Sequence, residues 1–160
     1  MIRLTRNDRT FIMKAVEIAK QGIEKGYGPF GALITRKGKI ITEANNKVVL
    51  SSDPTAHAEI LAIRKASEIL ETHDLSDCVL YCSCEPCPMC LGAVYWAGIK
   101  KIIYASGRKD AEMAGFSDSM IYDEIMLEPG NRSISFICVS DAGGQEVFAK
   151  WEEFDDRIPY

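Results

Sequence analysis

An α/β fold is predicted by three observations. Short apolar runs with strand character recur along the chain, and stretches with helical apolar spacing lie between them. The length, 160 residues, is one domain's worth, with no linker, low-complexity tract or internal repeat to divide it. A single domain over residues 1–160 is therefore expected.

The elements follow in order. The first ~25 residues read as a helix. Asn7 or Asp8 can cap it, Phe11, Ile12, Ala15, Val16, Ala19 and Ile23 form its apolar face, and Gly26 ends it. "FGALITRKGKIITEA" reads as a hairpin with Lys37-Gly38 at the turn. A second helix is read from "SSDPTAHAEILAIRKASEIL", with Asp53 as N-cap and Pro54 at its first position. "DCVLYCS" is nearly continuous in apolar character, as a buried strand is. "CPMCLGAVYWAG" is a third helix closed by Gly98, and "KKIIYAS" another buried strand. Helical material around 109–127, a strand at 133–139 and a last helix near 145–155 complete the chain. Helices connect the strands that follow the hairpin, so parallel or mixed pairing is expected there.

Composition narrows the function. Apolar residues make up 47% and charged residues 26%, ordinary for a soluble globular protein. No run approaches the ~18 apolar residues of a membrane span. The N-terminal "MIRLTRNDRTF" lacks the apolar core and small-residue site of a secretory signal, so a cytoplasmic protein is expected. The net charge of −4 offers no basic stripe to a polyanion, which favours a small-molecule substrate over nucleic acid. Six cysteines in a reducing compartment do not form a disulfide framework. Four of them, Cys82, Cys84, Cys87 and Cys90, fall within nine residues, and such clustering points to metal. Cys78 and Cys138 read as small buried hydrophobes.

Cys87 and Cys90 are three apart at a helix start, where side chains share a face and free amide hydrogens favour thiolate. They make half of a tetrahedral zinc site. Cys84 with Cys87 is a rival pair, less suited because Pro86 fixes a turn between them. His57 is the third ligand, and three protein ligands leave the open position of a catalytic zinc. Glu59 is two residues on, ~200° around an ideal helix. Both side chains reach one metal only if it lies ahead of the helix N-terminus, toward which helical side chains lean. The expected geometry is therefore two helix N-termini converging on one zinc, with Glu59 beside the open position as a proton shuttle.

"HAE" followed by "PCPMC" resembles the signature H-x-E…P-C-x-x-C of zinc nucleobase deaminases. With "GPFGALI", "DPTAHAEILAIRKA" and "SCEPCPMCLGAVYWA", the chain resembles the cytidine deaminase superfamily, pieces shared largely with tRNA adenosine deaminases. "AGFSDSMIYDEI" and the closing Tyr160 resemble bacterial guanine deaminases within it. The resemblance runs from about Asp8 to Tyr160 and is weakest between Glu128 and Glu146.

The resemblance implies a three-layer α/β/α fold around a mixed five-stranded sheet. It implies one zinc per subunit on His57, Cys87 and Cys90, with Glu59 moving protons. Phe30 would lie against the purine, Asn46 would hydrogen-bond it, Trp96 would line the pocket and Asp118 would grip the guanine edge. A homodimer is implied in which the C-terminal segment crosses over, so that Tyr160 completes the neighbouring site. Each residue also has a plainer reading. Phe30 and Trp96 suit a core, Asn46 a turn, and Asp118 a helix cap with Ser117 as rival. A last residue such as Tyr160 is ordinarily untethered, although Phe154, Ile158 and Tyr160 give the tail apolar groups to dock. On physical grounds Asp118 is the most telling. A carboxylate only accepts, guanine's Watson–Crick edge offers N–H donors, and adenine's N1 does not.

The expected activity is hydrolysis of guanine to xanthine and ammonia, in purine salvage or catabolism. The alternatives are tRNA adenosine deamination or an amino-heterocycle such as guanosine or an aminotriazine. From another class comes a structural zinc module closed by Cys84 or Cys82.

Overall fold

The structure is a computed structural model that describes residues 4–159. Its elements run α1 (Arg6–Glu24), β1 (Gly31–Arg36), β2 (Lys39–Asn45), α2 (Val48–Ser51), α3 (Ala58–Leu70), β3 (Cys78–Cys84), α4 (Pro88–Trp96) and β4 (Ile102–Ser106). Then follow α5 (Arg108–Met113), α6 (Ser119–Met126), a 3-10 turn at Pro129–Asn131 and α7 (Gly144–Glu152). Two units result, Met1–Asp118 with the sheet and α1–α5, and Ser119–Tyr160 with α6 and α7.

The fold is α/β with a mixed sheet in the order β2-β1-β3-β4. β1 runs antiparallel to β2 and β3, and β3 runs parallel to β4 through the α4 crossover. At the hairpin Lys37 and Gly38 have φ of 51° and 73°, the positive pair of a two-residue turn that matches strand twist. Side chains alternate across the sheet. Ala32, Ile34, Leu80 and Cys82 pack with Ala58, Ala62 and Ala66 of α3 and Val94 of α4. Leu33, Tyr81 and Ile103 pack on the other face with Ala15 and Ile18 of α1.

Gly31 shows how closely α1 rides on β1. A Cβ there would stand 2.5 Å from the Ala15 carbonyl oxygen and 2.6 Å from the Ala19 amide nitrogen, both backbone atoms. Gly31→Ala is expected to cost about 1–3 kcal/mol through overpacking. A urea titration should show a lower midpoint at unchanged slope.

Several elements differ from the sequence expectation. Thr5, not Asn7 or Asp8, caps α1; Asp8 closes the capping box by accepting from the Thr5 amide at 2.9 Å. Ile18 replaces Ile23 in the buried face, and Ile23 is exposed. Asp53 does not cap α3, because its Oδ1 is taken by the amide and hydroxyl of Thr55, at 2.8 and 2.7 Å. The helix begins four residues after Pro54, and the short α2 precedes it. A break at Ala114–Asp118 separates α5 from α6. The sheet has four strands among the described residues, not five: 133–139 is irregular, with Ile134, Phe136, Ile137 and Val139 exposed. A strand pattern needs a neighbouring backbone for its ladder, which composition alone does not supply.

Asp8 is almost fully buried, yet Tyr81 donates to it at 2.7 Å and Lys101 at 3.2 Å. Burial pushes its carboxyl up, but the Thr5 amide, Tyr81, the Thr5 hydroxyl and Lys101 outweigh that and hold it well below the usual range. Asp8→Ala is expected to cost about 1–3 kcal/mol. Because the native value is lowered, the stabilisation is present above the unfolded value of about 3.9. It is lost as pH falls from there through the native value. The stability gap between wild type and variant should therefore narrow on acidification.

Candidate metal centre

Two helix N-termini build the site. His57 is the N-cap of α3 and Cys87 the N-cap of α4, both with extended backbone and neither spending its side chain on capping. Their carbonyls accept the first helical bonds, from Leu61 at 3.0 Å and Leu91 at 2.8 Å. Pro88 takes the first position of α4, where its missing N–H is harmless. Side chains at these positions project ahead of each helix, and the partial positive charge there favours anionic sulfur.

The projection brings the two stretches together. His57 Nδ1 lies 3.6 Å from Cys87 Sγ and 3.6 Å from Cys90 Sγ. Ligand atoms of all three residues lie within 4.8 Å of one another. Zinc at about 2.3 Å from sulfur and 2.0–2.1 Å from nitrogen, with tetrahedral angles, requires an N···S edge of about 3.5–3.6 Å. The residues therefore fit zinc. The group is the one set among the described residues that could hold a metal ion; neither Cys82 nor Cys84 joins it. Nδ1 faces the sulfurs, so the ring proton belongs on Nε2 when a metal is held.

Position, not charge, separates the four clustered cysteines: Cys87 and Cys90 both face His57 Nδ1, and Cys82 and Cys84 do not. The Cys87 thiol is pulled well down, first by its bond with Cys90 and then by His57. That contact with Cys87 in turn raises His57 against the effect of burial. Burial pushes the Cys82 and Cys84 thiols up, with the Glu59 carboxylate adding to both. Cys84 ends β3 with its Sγ 3.8 Å from the Gly107 carbonyl oxygen. Cys82 sits in the core.

Glu59, in the first turn of α3, is only 5% exposed. Its Oε2 lies 3.5 Å from Cys90 Sγ, the same sulfur that faces His57. Burial raises its carboxyl above the usual range. A carboxyl that is easier to protonate, beside a metal position, suits proton transfer.

Two further expected residues lie one layer out. Phe30 directly precedes β1, and its carbonyl accepts from the Asn46 amide at 2.9 Å. Lys47 in turn donates to the Ala56 carbonyl at 2.9 Å, so Phe30, Asn46 and the start of α3 are stitched together by backbone. The buried Asn46 uses its side-chain oxygen on the Val48 amide at 3.1 Å, which leaves its NH₂ as the group available to a ligand. Phe30 meets Phe116 edge-to-face, centroids 5.0 Å apart. Both line a cleft of about 260 Å³ that also takes in Ser83, Cys84 and Val16 but none of the metal set.

Three expected residues stand apart. Trp96 ends α4, at the opposite end from the cysteines, and is 71% exposed. Asp118 accepts from Arg108 Nε at 3.0 Å. Tyr160 lies outside the described residues. Sequence reasoning missed Arg108 and the Phe116 partner of Phe30. The motif "AGFSDS" contains the second, but no spacing rule joins Arg108 to a residue ten positions away.

Comparison with known proteins agrees with this geometry. The family described as "Cytidine and deoxycytidylate deaminase zinc-binding region" matches residues 5–106. The chain is 48% identical over 155 residues to the guanine deaminase of Bacillus subtilis, covering 96% of this chain and 99% of the relative. The X-ray structure of guanine deaminase from that organism superposes with a TM-score of 0.93 at 47% identity, covering 98% of this chain and 99% of the other. A tRNA-specific adenosine deaminase of Aquifex aeolicus is 45% identical over only 96 residues, 60% of this chain and 64% of the relative. With His57, Cys87 and Cys90 fitted to zinc, the chain belongs to the zinc-dependent cytidine and deoxycytidylate deaminase family.

Proposed function

We propose that this protein hydrolyses guanine to xanthine and ammonia. The observation that carries the proposal is the buried Glu59 carboxyl beside the His57, Cys87 and Cys90 cluster, in a chain that resembles a guanine deaminase over nearly its whole length. When bound, zinc supplies a water acidic enough to lose a proton near neutral pH. Glu59 takes that proton and delivers it to the ring nitrogen beside C2 as the oxygen bonds to C2. Glu59 then takes the oxygen's remaining proton and passes it to the amine, which leaves as ammonia while C2 becomes a carbonyl and the ring nitrogen keeps its hydrogen. One C–O bond forms at C2 as the C–N bond breaks, and the atoms of guanine and water become xanthine and ammonia. Asn46 offers its NH₂ to a purine acceptor, Phe30 packs on the ring and Asp118 accepts from the guanine N–H edge; the exposed Trp96, at the far end of α4, is left out of this pocket.

The same reading treats residues 1–160 as one deaminase module in a three-layer α/β/α arrangement. It is supported by α1 packing on one sheet face and α3 and α4 on the other. No helix among the described residues is long and apolar enough to cross a membrane, and the site needs reduced thiols, which suits a cytoplasmic setting. A homodimer is part of the proposal. Phe136, Ile137, Val147, Phe148 and Phe154 in the second unit are exposed, more apolar surface than a lone chain ordinarily leaves in water. In it the C-terminal segment, with Tyr160, completes the neighbour's site. Removing residues 158–160 and mixing the product with Glu59→Ala subunits tests this, because crossed sites alter the recovered activity and self-contained sites do not.

Guanine and an anticodon stem-loop offered in parallel to the zinc-loaded protein test the substrate. Xanthine without inosine is the expected result. Inosine in the stem-loop would move the assignment to tRNA adenosine.

A further inference from the structure

Asp118, the residue proposed to meet the guanine edge, is held by an ion pair whose other partner, Arg108, has no role in that proposal. Arg108 opens α5, and Asp118 ends the loop that follows it; Nε and Oδ1 are 3.0 Å apart, with the side chains 34% and 19% exposed. Among the described residues no other group hydrogen-bonds the Asp118 carboxylate. The two partners are anchored differently. The start of α5 is tied down: the Gly107 amide donates to Asp110 at 2.9 Å, and the Glu85 amide donates to Ser106 at 2.9 Å. The Cys84 thiol also reaches the Gly107 carbonyl, at 3.8 Å. Arg108 thus sits on the same strand ends that deliver Cys87. Asp118 hangs on the loop Ala114–Asp118, held by Phe116 against Phe30 and by the Phe116 amide on the Ala111 carbonyl at 2.9 Å.

We infer that Arg108 is a positioning residue: it fixes the Asp118 carboxylate for the N–H edge of the purine and thereby sets selectivity for guanine. The inference rests on the proposed activity and goes one residue beyond it. A carboxylate has about four lone-pair positions, so Oδ1 can keep Arg108 while Oδ2 and the remaining lone pairs meet the substrate's donors. The guanidinium is planar and holds a carboxylate by directed N–H bonds, an orienting grip that a flexible loop does not supply. Orientation matters because donors displaced by an ångström lose most of their discrimination.

The test compares Arg108→Gln with wild type and Asp118→Asn. It reads kcat and KM for guanine and the inhibition constant of unsubstituted purine, which lacks both the N1 hydrogen and the C2 amine. Arg108→Gln is expected to raise the guanine KM about tenfold and to shift kcat and the purine constant less than about twofold, with zinc retained. Asp118→Asn should raise the guanine KM at least as much, and the double variant no more than the larger single effect. Equal shifts for both ligands, or a fall in kcat with zinc loss, would show a pair that merely pins the loop and would overturn the inference. An unchanged KM overturns it too. If Arg108→Gln does not fold, Arg108→Lys, which keeps a cation without the Nε donor, carries the same comparison. Wild type without guanine turnover overturns the underlying activity and the inference with it. Wild type with turnover but an indifferent Arg108→Gln overturns the inference alone.

Discussion

Glu59→Ala is expected to keep fold and zinc and to lose turnover by about 10²–10⁴-fold, the range that a positioned general acid–base group contributes. The carboxyl is 5% exposed, and its neighbours are the Cys90 sulfur and the metal position, so no solvent group stands ready to replace it. Glu59→Gln preserves volume and should lose as much, because an amide cannot relay the proton. Steady-state rates with metal analysis on the same sample make the check. Either variant retaining near-wild-type kcat with full zinc would remove Glu59 from the proton path.

Cys90→Ala should have the second large effect, on metal before rate. Cys90 is fully buried and faces both His57 Nδ1 and Glu59 Oε2, so its sulfur is the corner on which the cluster closes. Without it, two ligands remain, and bound zinc should fall from about one per chain to near none after dialysis. Activity should fall with it. Chelating the wild type should lower stability as well, since a ligand that binds only the native state at a hundred times its Kd contributes about 2.7 kcal/mol. In a chain of this size that is a shift of about 5–10 °C in Tm. Full zinc content in Cys90→Ala would show that another sulfur holds the metal.

The parts of the fold that obey local rules were legible. Lys37-Gly38 announces its turn because few residue pairs accept positive φ twice in succession. The near-continuous apolar runs of β1 and β3 follow from burial on both faces. The metal residues were legible too, from the H-x-E…P-C-x-x-C pattern together with the expected placement of both halves at helix starts. What escaped was competition between partners. Asp53 had the right identity for a cap, but Thr55 offered it two donors closer by. That moved the start of α3 to His57, whose imidazole is not spent on capping and faces the two sulfurs instead. Residues 133–139 carry a strand's composition, yet pairing depends on a neighbour that composition does not name. The Arg108–Asp118 pair joins side chains across a loop whose path is set by Phe116 on Phe30, a tertiary contact without any period.

The most direct measurement supplies guanine to zinc-loaded protein in water enriched in oxygen-18, and follows xanthine and ammonia together. The expected result is equal amounts of the two, with one heavy oxygen incorporated at C2 of each xanthine. Bound zinc with no xanthine would contradict the assignment of guanine as the substrate.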